Sequence, residues 1–114
     1  MLTMEKLISY GADTETGLQR CMNNEAFYLQ LIGMILKEPS FDKLEAAVAA
    51  HDLKTAFEAA HALKGVTGNL ALTPLYEPIV EITELLRAGT ETDYSGLLQT
   101  IRAQKDKLQE LSED

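Results

Sequence analysis

The chain has no tryptophan, one cysteine and only three prolines in 114 residues, so little in it would interrupt a helix. A lone Cys21 can form neither an internal disulfide nor a thiolate metal cage, which excludes a disulfide-stapled or cysteine-rich zinc fold. It reads as a small helix residue. No run of β-branched residues alternates with period two, so the sequence signal of a sheet is missing. Long apolar runs are missing too. The stretch from Ala26 to Leu36 is broken by Gln30 and is too short to cross a bilayer. The first residues lack a basic segment leading into an apolar core and cleavage site, and the chain is read as cytoplasmic, with no membrane partner. Positive charge is scarce: ten Lys and Arg stand against eighteen Asp and Glu, a formal net charge of −8. That balance argues against nucleic acid or an anionic membrane surface as partner. Catalytic signatures are absent as well, with no Gly-x-x-x-x-Gly-Lys-Ser/Thr loop, no kinase glycine loop, no Gly-x-Ser-x-Gly elbow and no His-Glu-x-x-His.

What is present is alanine, leucine, glutamate and lysine in helical patterns, with 46% hydrophobic residues, enough for one core in a single domain over residues 1–114. Thr3 to Ser9 can form a helical turn that Gly11 breaks, and Asp13 can cap a second short helix to about Met22. Asn24 caps a longer helix with Phe27, Leu31, Met34 and Ile35 at helical spacing, ending at Lys37 before Pro39. Ser40 caps the next, with Phe41, Leu44, Ala47 and Val48 inward, to about His51. Asp52 caps a helix to about Leu72, and Thr73-Pro74 opens another in a cap-then-proline arrangement. Its stripe of Leu75, Ile79, Ile82 and Leu86 ends at Gly89. A last helix follows Asp93 and carries Leu97, Leu98, Ile101, Leu108 and Leu111, with Glu110, Glu113 and Asp114 in a frayed tail. Short connections make neighbours antiparallel. The expected fold is all-α, an up-down antiparallel four-helix bundle with short accessory N-terminal helices and a core over about 24–112.

The most informative segment is Ala60-His61-Ala62-Leu63-Lys64-Gly65-Val66-Thr67-Gly68-Asn69-Leu70. At 100° per residue, Leu53, Ala56, Ala60, Leu63, Thr67 and Leu70 gather into one small or apolar stripe, and His61 falls on the opposite face. Gly65 and Gly68 share that outward face, within roughly 40° of the histidine. Each costs a helix about 1 kcal/mol relative to alanine, yet together they clear side chains from in front of an imidazole. Lys64 lies one turn on, where an ammonium can steady an anion carried by the ring. A neutral imidazole has a lone pair free to attack an electrophile. The combination reads as nucleophile plus anion stabiliser. Thr67, on the inner stripe, can satisfy its hydroxyl on the preceding turn, and Phe27, Phe57 and Leu63 read as core. His51 reads as a helix-end residue.

Metal chemistry fits poorly. Glu58 and His61 have the Glu-x-x-His spacing of di-iron bundles, but such sites need a second copy and two more glutamates pointing inward. Any group reaching His61 must come from a partner, because the chain offers no nucleotide-binding motif.

His61-x-Leu63-Lys64-Gly65, followed by Gly68-Asn69-Leu70, resembles the signature of histidine-containing phosphotransfer (HPt) domains. The likeness covers nearly the whole chain in the order and length of its helices. One departure is Ala71, where that family often has glycine shortly after the Asn-Leu pair. The resemblance implies a phosphorelay intermediate of two-component signalling, a carrier rather than an enzyme. His61 would accept a phosphoryl group from a receiver domain's aspartyl phosphate and pass it to another receiver. Lys64 would steady the phosphate, while Gly65 and Gly68 would let the receiver's loops approach. Lys54, Glu58 and Asn69 join the docking surface by helical position. No cofactor or metal is expected on the chain itself, Mg²⁺ being held by the receiver. The implied partners are receiver domains and a hybrid sensor histidine kinase, with the chain a monomer. The alternatives are a noncatalytic helical adaptor that docks receivers without carrying phosphate, and a homodimeric bundle of a kinase module. The dimer would leave a long outer apolar seam, and none is evident.

Overall fold

The computed structural model describes residues 1–113, which form seven helices and no strand. Three short helices come first. α1 (Met4–Tyr10) starts where Thr3 accepts a hydrogen bond from the Lys6 backbone N–H at 3.2 Å, and it stops at Gly11, which turns left-handed with φ 106°. α2 (Thr14–Arg20) is capped by Asp13, and α3 (Glu25–Ile35) by Asn24. The chain between them turns through Met22 and Asn23, both with positive φ, so α2 ends before the expected Met22. Cys21 is the buried residue just past that end.

Four longer helices follow: α4 (Ser40–Ala49), α5 (Leu53–Asn69), α6 (Thr73–Arg87) and α7 (Ser95–Glu113). Each packs mainly on the next in sequence. Asp52 caps α5 by accepting from the Thr55 N–H at 3.1 Å, as its position before the helix predicts. Two other expected caps differ. Ser40 lies inside the first turn of α4, behind Pro39, and its hydroxyl donates to Glu38 Oε1 at 2.9 Å. Thr73 is likewise helical, with Leu72 at the cap position. Neither Pro39 nor Leu72 caps its helix with a side-chain hydrogen bond. The expected frayed tail is helical at Glu110 and Glu113, and Asp114 lies outside the described residues.

One hydrophobic cluster runs through all seven helices, with Leu7, Tyr28, Leu44, Leu63, Ile79 and Leu108 among its members. The inward stripes of α4, α6 and α7 match the sequence pattern at Phe41, Leu44, Ala47, Leu75, Ile79, Ile82, Leu86, Ile101 and Leu108. The stripe of α3 is displaced. Tyr28, Ile32 and Ile35 are buried, while Phe27 and Met34 stand 38% and 60% exposed. Apart from Glu25 and Gln30 the residues of α3 are apolar, aromatic or glycine, so periodicity has little polar contrast with which to fix a face. Tyr28 decides the orientation through two contacts. Its ring occupies the space a Cβ on Gly17 would need, and its hydroxyl donates to the Leu70 carbonyl at 2.8 Å. Burial pushes its phenol up to about 12.

The carboxyl end of α5 is held from the N-terminal segment. A helix end leaves carbonyls without intrahelical donors. Here Arg20 donates to the Gly68 carbonyl, Tyr28 to that of Leu70, and the Asp13 backbone N–H to that of Ala71 at 2.9 Å. The helix stops at Asn69, short of the expected Leu72, because Ala71 takes a left-handed φ of 55°. Among the described residues no helix is long and apolar enough to cross a membrane.

Candidate functional site

The inner face of α5 consists of Ala56, Ala59, Ala60, Leu63 and Thr67, all buried. Small residues there bring α4 and α6 close and fix the rotation of the helix, so His61 must point outward. It is exposed. Thr67 satisfies its hydroxyl on the Leu63 carbonyl at 2.7 Å, and Thr83 of α6 does the same with Ile79 at 2.6 Å. Both hydroxyls are spent inside the bundle.

Two different surroundings meet at the imidazole. On one side Phe57, a turn earlier, stacks on it with ring centroids 5.7 Å apart and planes 25° from parallel. Phe57 is half-buried rather than part of the sealed core, and the Arg87 guanidinium covers its ring at 5.0 Å from the centroid. Arg87 Nε lies 3.3 Å from Glu84 Oε2, and Lys64 Nζ lies 3.5 Å from Glu84 Oε1. Desolvation opposes ionisation of Glu84, but the Arg87 charge and hydrogen bond, and then those of Lys64, hold its carboxyl below the usual range.

On the other side lies an open groove of about 560 Å³ that contains His61, Lys64, Gly65, Gly68 and Asn69 from α5. A Cβ on Gly65 would meet nothing within 4 Å, so the ground beside the ring is clear there. Gly68 differs from the expectation of a second clearing. Its Cβ position is 2.7 Å from Tyr76 Cε1, and the tyrosine ring fills the space a side chain would take. Lys54 and Glu58 are exposed on the amino-terminal half of α5 and do not border the groove. Asn69 borders both the groove and a smaller hollow of about 210 Å³ shared with Leu31, Met34 and Val66.

Sequence reasoning missed several neighbours. Asp13, Thr16 and Arg20 reach the groove from α2 and its cap, and Tyr76 from α6. Hydrogen bonds from Thr16 hold the Asp13 carboxyl below its usual range. No local pattern announces Arg20, which arrives through tertiary contact alone. Phe57 was legible as one turn before His61 but reads as core from its type. The groove carries two cations, Lys64 and Arg20, in a chain of net charge −8. No group of three His, Cys, Asp or Glu able to hold a metal ion occurs among the described residues.

Chemically, an aromatic ring stacks on the imidazole, a cation lies one turn away, and the exposed ring shares an open groove with the empty Gly65 position. In comparisons with known proteins, the Hpt domain family model matches residues 38–113, from just before α4 to the end of α7. No curated protein and no solved structure matches the chain.

Proposed function

Since the chain belongs to the Hpt domain family, we propose that His61 takes a phosphoryl group from the aspartyl phosphate of one receiver domain and hands it to an aspartate of another. Family membership carries histidine phosphotransfer in two-component signalling, with receiver domains as partners. The observation that most supports His61 as the acceptor is its exposure over the open Gly65 position, with Lys64 alongside.

In the transfer a lone pair on a ring nitrogen attacks phosphorus. The aspartyl P–O bond breaks as the N–P bond forms, and its electron pair leaves on the receiver's carboxylate. The imidazole keeps the proton on its other nitrogen, so no base is required on this chain. In-line displacement needs attacking nitrogen, phosphorus and leaving oxygen close to collinear along the in-plane lone pair, and the exposed ring and the empty Gly65 position leave room for that approach. Lys64 balances charge on the transferred group. Mg²⁺ belongs to the receiver, and the chain acts as a carrier without nucleotide or cofactor of its own.

The receiver docks across the groove and onto the neighbouring hollow where the exposed Met34 and Val66 lie with Asn69. The reading includes an up-down antiparallel packing of the four longer helices as the rigid support. It places a monomeric chain in the cytoplasm between a hybrid sensor histidine kinase and a second receiver.

The test is incubation of the protein with a phosphorylated receiver and Mg²⁺, followed by scoring of an acid-labile, base-stable label. Wild type takes the label, and His61→Gln keeps its helicity and takes none. If several receivers bind wild type and leave it unlabelled, the transfer mechanism fails and a docking adaptor takes its place.

A further inference from the structure

Glu84 sits where two cations meet. Its Oε1 is 3.5 Å from Lys64 Nζ and its Oε2 is 3.3 Å from Arg87 Nε. Each cation is linked to His61: Lys64 lines the groove with it, and Arg87 covers the ring of Phe57, which in turn stacks on the imidazole. Glu84 itself is on α6, exposed and outside the groove. It therefore reaches His61 only through the residues it holds.

A phosphoryl group on His61 brings roughly two negative charges at neutral pH, as phosphorylation of a side chain does generally. Lys64 cannot serve that group and Glu84 equally well. The ammonium is a compact point charge on a flexible four-carbon stem, free to turn from one anion to the other. The pair with Glu84 is long and partly exposed, with side chains 30% and 52% accessible, so it yields to a stronger anion. When Lys64 turns, Glu84 keeps Arg87, which stays over Phe57. The carboxylate then keeps one of its two cations and has lost the other to the phosphoryl group.

Resting on the phosphotransfer reading, we propose that Glu84 is a positioning residue that competes with the phosphoryl group for Lys64 and so sets how far the transfer equilibrium favours His61. The competition keeps the phosphoryl group easy to pass on. Without it the group is held more firmly and returned more slowly.

The experiment measures the labelled fraction of the protein at equilibrium with a phosphorylated receiver and Mg²⁺, for wild type, Glu84→Gln and Glu81→Gln. Glu81 is an exposed carboxylate one turn earlier on α6, and it serves as the control for bulk charge. Exposed ion pairs of this kind correspond to changes of about two- to fivefold in an equilibrium. Glu84→Gln is expected to shift the equilibrium toward His61 by that factor at about 0.1 M salt, with its melting temperature unchanged. The shift is expected to collapse at about 1 M salt, where the Debye length has fallen from about 10 Å to about 3 Å. Glu81→Gln is expected to behave as wild type. An unchanged or lowered labelled fraction in Glu84→Gln overturns the inference, and so does an equal rise in Glu81→Gln. Absence of label on wild type overturns the phosphotransfer reading and this inference with it. Label on wild type without a rise in Glu84→Gln overturns this inference alone.

Discussion

A Cβ built on Gly65 would meet nothing within 4 Å, whereas one built on Gly68 would lie 2.7 Å from Tyr76 Cε1. The two glycines are three residues apart on one helix, border the same groove and look equivalent in sequence. Their physical roles are opposite. Gly65 keeps solvent-facing space free beside the imidazole. Gly68 makes room for an aromatic ring from α6, which brings α5 and α6 into contact and forms a wall of the groove. A missing side chain thus serves access at one position and packing at the other.

The largest effect that would break or sharpen this contrast is expected from Gly65→Leu. Bulk there intrudes on the open groove that holds the ring, and misplacement of reacting groups by an ångström can cost about a hundredfold in rate. Single-turnover labelling by a phosphorylated receiver should slow by about that factor. Thermal stability should hold or rise, since leucine is the better helix former by about 1 kcal/mol. A normal labelling rate would show that the receiver does not approach over Gly65.

Gly68→Ala should do the reverse. Forcing a methyl against the Tyr76 ring is an overpacking defect of about 1–3 kcal/mol, partly offset by the alanine's helix propensity of about 1 kcal/mol. Denaturant titration should show a net loss of stability, and Tyr76→Leu in the same chain should recover part of it. A stable Gly68→Ala with slow transfer would make Gly68 a second clearing after all.

The smallest effect concerns Ala71, two residues past the end of the same helix. It holds φ 55° without being glycine, a conformation that costs an L-residue about 1–2 kcal/mol. Ala71→Gly relieves that strain but gives the unfolded chain more freedom, by about 0.4–1 kcal/mol. The melting temperature should rise by an amount corresponding to roughly 0.5–1 kcal/mol net. A fall would show that the bond from the Asp13 N–H to the Ala71 carbonyl already makes the turn comfortable.

Much of this molecule is legible along the chain, and the rest is hidden for identifiable reasons. Helices announced by a cap and a clean stripe, such as α5 after Asp52, start where the pattern puts them. The departure at Ala71 falls on a residue with a left-handed φ of 55°, a backbone conformation that favours glycine. The face of α3 differs from the expected stripe because so apolar a helix offers little contrast, and the long reach of Tyr28 orients it. His61, Lys64, Gly65 and Asn69 share a helix face by geometry alone, so spacing brings them together. Lys54 and Glu58 share their helix but not the groove, because the groove lies toward the carboxyl half of α5, where α2 and α6 supply its walls. Arg20, Tyr76 and Glu84 belong to other helices, and spacing along α5 carries no information about them.

The carbonyls of Gly68 and Leu70 accept their hydrogen bonds from residues 48 and 42 positions earlier in the chain. Those donors lie upstream of the 38–113 span that the family model matches. The structural support of the histidine helix therefore extends beyond that span. A protein engineer grafting this histidine helix onto another scaffold would have to carry α2 and the start of α3 along with it. A substitution drifting into Arg20 or Tyr28 over evolutionary time would register first at the far end of a helix it does not belong to.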